Sequence, residues 1–224
     1  MREVDLVMKG TIDSLRYVSE SLEDNIVSTL LEPLSKHHYG TYIHSVHVAF
    51  IAVQIGIQCN LPKKDLKTLS LGSVLHDVGK TEIPTSLLDK KGTLTDDEFN
   101  IIKTHPEKGY HILKSANFDD EVCRIALTHH RKLNNTGYPM ENDDENANRL
   151  LNTSLDNLTQ IVQVADMFEA IVTTRAYKKK YDIRKAIQLL ENDVNSGVLE
   201  FQYVSILSNL SLNNQLLLQT IYSL

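Results

Sequence analysis

With 224 residues, 42% of them apolar and 23% charged, the chain has the length and balance of one folded domain with a core and room for a short helical appendage, not of a disordered or fibrous sequence. Nine glycines and five prolines are few for an all-β sandwich, so helix is favoured. The net charge of −6, from 23 basic and 29 acidic residues, argues against a surface built to hold DNA, and two cysteines, Cys59 and Cys123, cannot make a disulfide framework.

The opening Met1-Arg2-Glu3-Val4-Asp5 lacks the apolar core of a signal peptide, so a cytoplasmic location is expected. Apolar residues from Val4 to Val18 and from Leu22 to Leu34 recur at threes and fours, which predicts two amphipathic helices broken near Ser19 to Asp24, with Ser21 or Asp24 as the cap. Tyr42 to Cys59 is apolar on nearly every face and predicts a buried helix; its longest apolar run, Val48 to Ile57, is too short to span a bilayer, so no membrane contact is expected. Pro62 is expected to start the next helix, running to about Leu75. Thr95 with Glu98 has the spacing of a capping box, Pro106 reopens helix, and Glu121 to His129 adds another. Arg131 to Asn148 is polar and rich in asparagine and acid, a loop around Gly137-Tyr138-Pro139 that extends towards Leu155. Leu155 to Thr173, Asp182 to Asn192, and segments near 201–210 and 213–222 are helical in pattern.

Nine histidines stand out. His76-Asp77 at a helix end would present an imidazole and a carboxylate about 100° apart round the axis, and one carboxylate can be shared by two ions. His44 lies on the buried helix, His105 precedes Pro106, and His129-His130 ends a helix. Asp166 falls inside an apolar run, where a carboxylate is costly unless neutralised. Each has an ordinary structural reading: His44 a hydrogen-bonded core residue, His129-His130 cations at the negative end of a helix, Asp166 a cap. Their joint occurrence favours metal ligation. His37, His38, His47 and His111 lack that context and read as structural or surface residues, with His47 the least clear because it shares a face with His44.

The order and spacing of His44, His76-Asp77-Val78-Gly79-Lys80, His105-Pro106-Glu107, His129-His130, Gly137-Tyr138-Pro139, Ala165-Asp166-Met167-Phe168-Glu169-Ala170 and Thr174-Arg175-Ala176-Tyr177-Lys178 resemble the HD-GYP branch of the HD-domain phosphohydrolases, bacterial phosphodiesterases of cyclic di-GMP. The resemblance implies an all-α HD-domain helical bundle with an N-terminal helical extension, residues 1–36 forming the lead and 37–224 the catalytic domain. It implies two divalent metal ions, iron or manganese, one held by His44, His76, Asp77 and Asp166, the other by Asp77, His105, His129 and His130. A hydroxide held between the ions would attack the phosphorus of cyclic di-GMP, giving pGpG and in a further step GMP. Lys80 would contact the phosphate and assist the leaving group, with Asp77 as the catalytic metal bridge. Arg175, Lys178 and the Gly137-Tyr138-Pro139 loop would bind substrate. A diguanylate cyclase (GGDEF) domain, other signalling proteins and a second copy of the chain are the partners the resemblance suggests.

Two departures qualify it. Where the family has a glutamate after the His-His pair and an Asp-Gly step, this chain has Arg131 and then Lys132-Leu133-Asn134-Asn135-Thr136, which is expected to set a cation beside the second metal. Gly40 stands where some members carry a glutamate for a third ion. The alternatives are a cyclic di-GMP receptor without turnover and a phosphohydrolase of another nucleotide.

Overall fold

A computed structural model describes residues 3–173 and 181–213, with side chains described from residue 10 to residue 211. Helix α1 (Glu3–Glu23) stops before Asp24, the last residue of the expected break. The Asp24 carboxylate accepts the backbone N–H groups of Ile26 and Val27 at 2.9 and 3.1 Å, capping α2 (Asn25–His37). A cap of this kind contributes about 1 kcal/mol. Ser21, the other expected cap, is buried against Ser70, with the two hydroxyl oxygens 2.8 Å apart.

Helix α3 (Tyr39–Gln58) is the centre of the molecule, and α1, α2, α4 (Lys63–Leu75) and α10 (Asn157–Val172) pack around it. Among the described helices it alone is long and apolar enough to cross a membrane, yet most of it is buried by its neighbours, as expected of a core helix. Pro62 is the N-cap of α4 and not its first residue, and α4 ends at Leu75 with His76 as its C-cap.

A 3-10 turn (Val78–Glu82) and the single turn α5 (Thr85–Leu88) lead to α6 (Asp96–Ile102). The expected capping box is present there: Thr95 Oγ1 accepts from the Glu98 N–H, and the Glu98 carboxylate accepts from the Thr95 N–H. Helices α7 (His105–Ser115) and α8 (Asp120–Thr128) pack on each other, α7 against the 3-10 turn and α8 against α4.

The segment after His130 differs from its reading as a continuous loop. Residues 145–151 form α9 (Glu145–Leu151), capped by the Asp144 carboxylate and anchored by buried Ala147 and Leu151. Helices α10, α11 (Ile183–Asn195) and α12 (Phe201–Asn213) complete the bundle, and nearly all of the segment expected at 213–222 lies outside the described residues. The all-α class holds: among the described residues there is no strand, only one antiparallel bridge between Arg131 and Gly137. Leu34, Ile51, Leu75, Leu113, Ile125, Ile161 and Phe168 are fully buried in one core. Replacing such a residue by alanine costs roughly 2–5 kcal/mol.

Candidate metal centre

Five elements bring the predicted ligands together. His76 caps the end of α4 and Asp77 follows it, His105 opens α7, His129 caps α8, and His44 and Asp166 project from the middles of α3 and α10. Gly79 makes the central approach: a Cβ there would stand 2.0 Å from the carbonyl oxygen of His105 and 2.5 Å from the nitrogen of Gly109. Only glycine lets the turn after Asp77 press onto the start of α7.

The carboxylate of Asp77 is the hub. Its Oδ1 lies 3.2 Å from His105 Nε2 and 3.9 Å from His129 Nε2, and its Oδ2 lies 3.5 Å from His76 Nε2 and 3.8 Å from His44 Nε2. His44 Nε2 is also 3.0 Å from Asp166 Oδ1. His44, His76 and Asp77 form one group with metal-ligand spacing, and His105, His129 and His130 form a second. All except Asp166 and His130 are essentially withdrawn from solvent.

The tautomers follow from the hydrogen bonds. The Nδ1–H of His76 donates to the Ser73 carbonyl at 2.7 Å, that of His105 to Ile102 at 2.7 Å, and that of His129 to Ala126 at 2.8 Å. Each acceptor lies three residues earlier in the chain. His44 donates from Nδ1 to the Glu169 carboxylate. With Nδ1 carrying the proton, Nε2 of His76, His105 and His129 presents a bare lone pair to the same small space. His76 Nε2 and Asp77 Oδ1 are buried without a hydrogen-bond partner, an arrangement that is costly in a dry core and suits a bound cation.

The charges agree. Burial pushes the pKa values of His76, His129 and His130 down, and for His129 and His130 the neighbouring imidazoles push further. Neutral rings suit ligation and not the helix-dipole alternative, which needs cations. Burial by itself would raise Asp77 and Asp166. The Lys80 ammonium beside Asp77 and the His44 ring beside Asp166 outweigh it, so both carboxyls sit well below the usual carboxylate range.

A family model described as an HD domain matches residues 22–198. The chain belongs to the HD-domain family. It is 32% identical over 149 residues to a cyclic di-GMP phosphodiesterase of Pseudomonas aeruginosa, covering 66% of this chain and 34% of that protein. It is 31% identical over 173 residues to the cyclic di-GMP phosphodiesterase response regulator RpfG of Xanthomonas campestris, covering 76% and 44%. It thus spans less than half the length of either relative. Among solved structures, the HD domain of the Listeria monocytogenes phosphodiesterase PgpH matches with a TM-score of 0.63 at 20% identity, covering 86% of this chain and 98% of that one.

Within this HD domain the remaining site residues divide. Lys80 donates from Nζ to Asp77 Oδ2 at 2.6 Å. Gly137-Tyr138-Pro139 comes back onto His130: a Cβ at Gly137, whose φ is +96°, would stand 2.1 Å from the His130 carbonyl oxygen, so only glycine fits. The Tyr138 ring lies 4.7 Å from the His130 ring and 6.3 Å from the His105 ring, and the Tyr138-Pro139 peptide is cis. Arg175 and Lys178 lie outside the described residues.

Arg131 does not do what its position suggested. Its guanidinium turns away from the imidazoles and donates to the Leu151 carbonyl at the end of α9, while its own carbonyl accepts from the Gln163 amide. Lys132, the next residue, places its Nζ 3.5 Å from Met167 Sδ; burial pushes its pKa down against the pull of Asp166 and Asp193.

Two residues were undervalued in the sequence. Glu169 is buried at 1% exposure and, among the described residues, accepts from His44 Nδ1, His47 Nδ1 at 3.3 Å and Thr173 Oγ1 at 2.9 Å. The available signal was a second carboxylate one turn after Asp166 in an apolar helix. His47, read as structural or surface, is buried beside His44 and shares its carboxylate.

Proposed function

We propose that the chain is a metal-dependent phosphodiesterase that hydrolyses cyclic di-GMP to the linear dinucleotide pGpG. The observation that carries this reading is the set of bare Nε2 lone pairs converging on the Asp77 carboxylate, a donor set of imidazole and carboxylate that suits iron or manganese. Bound divalent ions would supply Lewis acidity and an activated water.

The chain's own residues do the rest. His44, His76 and Asp166 would hold one ion and His105, His129 and His130 the other, with Asp77 lying between the two groups. Exclusion of water from around these buried side chains strengthens every charge interaction with the phosphate. Lys80 keeps its ammonium beside Asp77, where it is placed to contact a phosphate oxygen and give a proton to the leaving 3′-oxygen as the P–O bond breaks. Arg175 and Lys178 are proposed to hold the second phosphate. The names of the relatives support the choice of cyclic di-GMP as substrate.

The test is incubation of the purified chain with cyclic di-GMP and manganese or ferrous iron under reducing conditions, with the nucleotides resolved. Formation of pGpG is expected, together with loss of turnover but not of metal in Lys80→Ala. Tight binding of cyclic di-GMP without cleavage would replace this reading with that of a receptor.

A further inference from the structure

Helix α6 has no buried side chain. Two of its three large apolar residues, Phe99 and Ile101, are 44% and 43% exposed. The helix is nevertheless firmly fixed, by the capping box of Thr95 and Glu98 and by an ion pair of 2.5 Å between Lys90 and Glu98. A short helix held in place without feeding the core has another use for its side chains.

Phe99 is the informative one. Its ring meets the Tyr138 ring edge to face, at 6.2 Å between centroids and 84° between planes. Tyr138 in turn lies against His130, 4.7 Å away, so an unbroken line of rings leads from a predicted metal ligand to the solvent. Lys103, one turn after Phe99, places its Nζ 5.0 Å from the centre of the Phe99 ring and adds positive charge at the exposed end of this line.

We propose that Phe99 is a base-stacking residue, receiving a purine base of the cyclic dinucleotide whose phosphate lies at the histidine cluster; this rests on the phosphodiesterase reading above. In a cyclic dinucleotide the bases project outward from the phosphate ring. A phosphate at His130 therefore puts a base beyond Tyr138, and Phe99 is the aromatic surface there. Base–aromatic stacking needs no particular hydrogen-bond pattern, so Phe99 contributes affinity and the distinction of a nucleotide from a simple phosphodiester.

The test compares wild type, Phe99→Ala and Phe99→Trp, all loaded with manganese, for KM and kcat on cyclic di-GMP and for metal content. Phe99→Ala is expected to raise KM by about tenfold, with kcat within about twofold of wild type and metal content intact, and Phe99→Trp to restore KM. An unchanged KM in Phe99→Ala, or equal losses in both variants, overturns the stacking role and leaves the phosphodiesterase reading standing. If wild type binds without turnover, the same comparison is made on Kd. A wild type that neither binds nor cleaves the dinucleotide overturns both.

Discussion

The Nε2 atoms of His105 and His129 stand 3.2 Å apart, and neither can donate to the other, because each ring has given its proton from Nδ1 to a backbone carbonyl. Two lone pairs held face to face, with the Asp77 Oδ1 beside them, repel unless a cation lies between. About two divalent ions per chain are therefore expected after loading with manganese or ferrous iron, measured by elemental analysis. Asp77→Ala should lose both, since Asp77 reaches the two groups. Equal metal content with and without Asp77 would sink the two-ion site.

Glu169 should control how tightly the ion at His44 is held. Partners of this kind change metal affinity by roughly 10–100-fold. Glu169→Ala is expected to shed one ion per chain much faster to a chelator, and Glu169→Gln, which can still accept from Nδ1, to lie between the variant and wild type. The His44 ring nitrogens in 15N spectra give a second reading: the tautomer should be fixed in wild type and mixed in Glu169→Ala. Identical spectra in the two proteins would assign Glu169 a merely structural part.

Arg131 should matter for folding and not for chemistry. Its guanidinium is spent on the end of α9, so Arg131→Ala is expected to lower stability by about 1 kcal/mol and leave metal content and kcat unchanged. Denaturant unfolding and metal analysis check this; a change in metal affinity with unaltered stability would place the cation at the metal centre after all.

The metal-free chain should lose stability as the pH falls. His129 and His130 have folded pKa values well below the unfolded value of about 6.5, so below that pH the unfolded chain binds more protons than the folded one. Stability is full above about 6.5 and declines beneath it. Asp77 and Asp166, whose pKa values are also depressed, act in the same direction at more acid pH. Thermal scans of the metal-stripped protein should show Tm dropping between about pH 7 and pH 5. A Tm that climbed towards acid would mean that these rings are charged in the folded chain.

Much of this molecule was legible in its sequence because most of its candidate ligands sit at helix ends that have local signatures. Pro106 marks the start of α7 beside His105, and the polar turn after Leu75 marks where His76-Asp77 must fall. What escaped was set by tertiary neighbours. Helix α9 is only seven residues long and lies in a polar, asparagine-rich stretch without a clear apolar period, and it forms because Asp144 caps it and Ala147 and Leu151 find the core. Arg131 follows His130 in the chain, yet the direction of its side chain depends on where Leu151 lies. Glu169 looked like one more acid in a motif until the fold set His44 and His47 against it.

The three carbonyls that steer His76, His105 and His129 belong to the main chain, and no substitution at those acceptor positions can take them away. The aim of these rings is thus written into the main chain at the helix ends, whatever side chains surround it. His44 is different, since its aim is delegated to a side chain from another helix. Retuning this centre for a different ion, by drift or by design, has one obvious handle, and it lies at position 169.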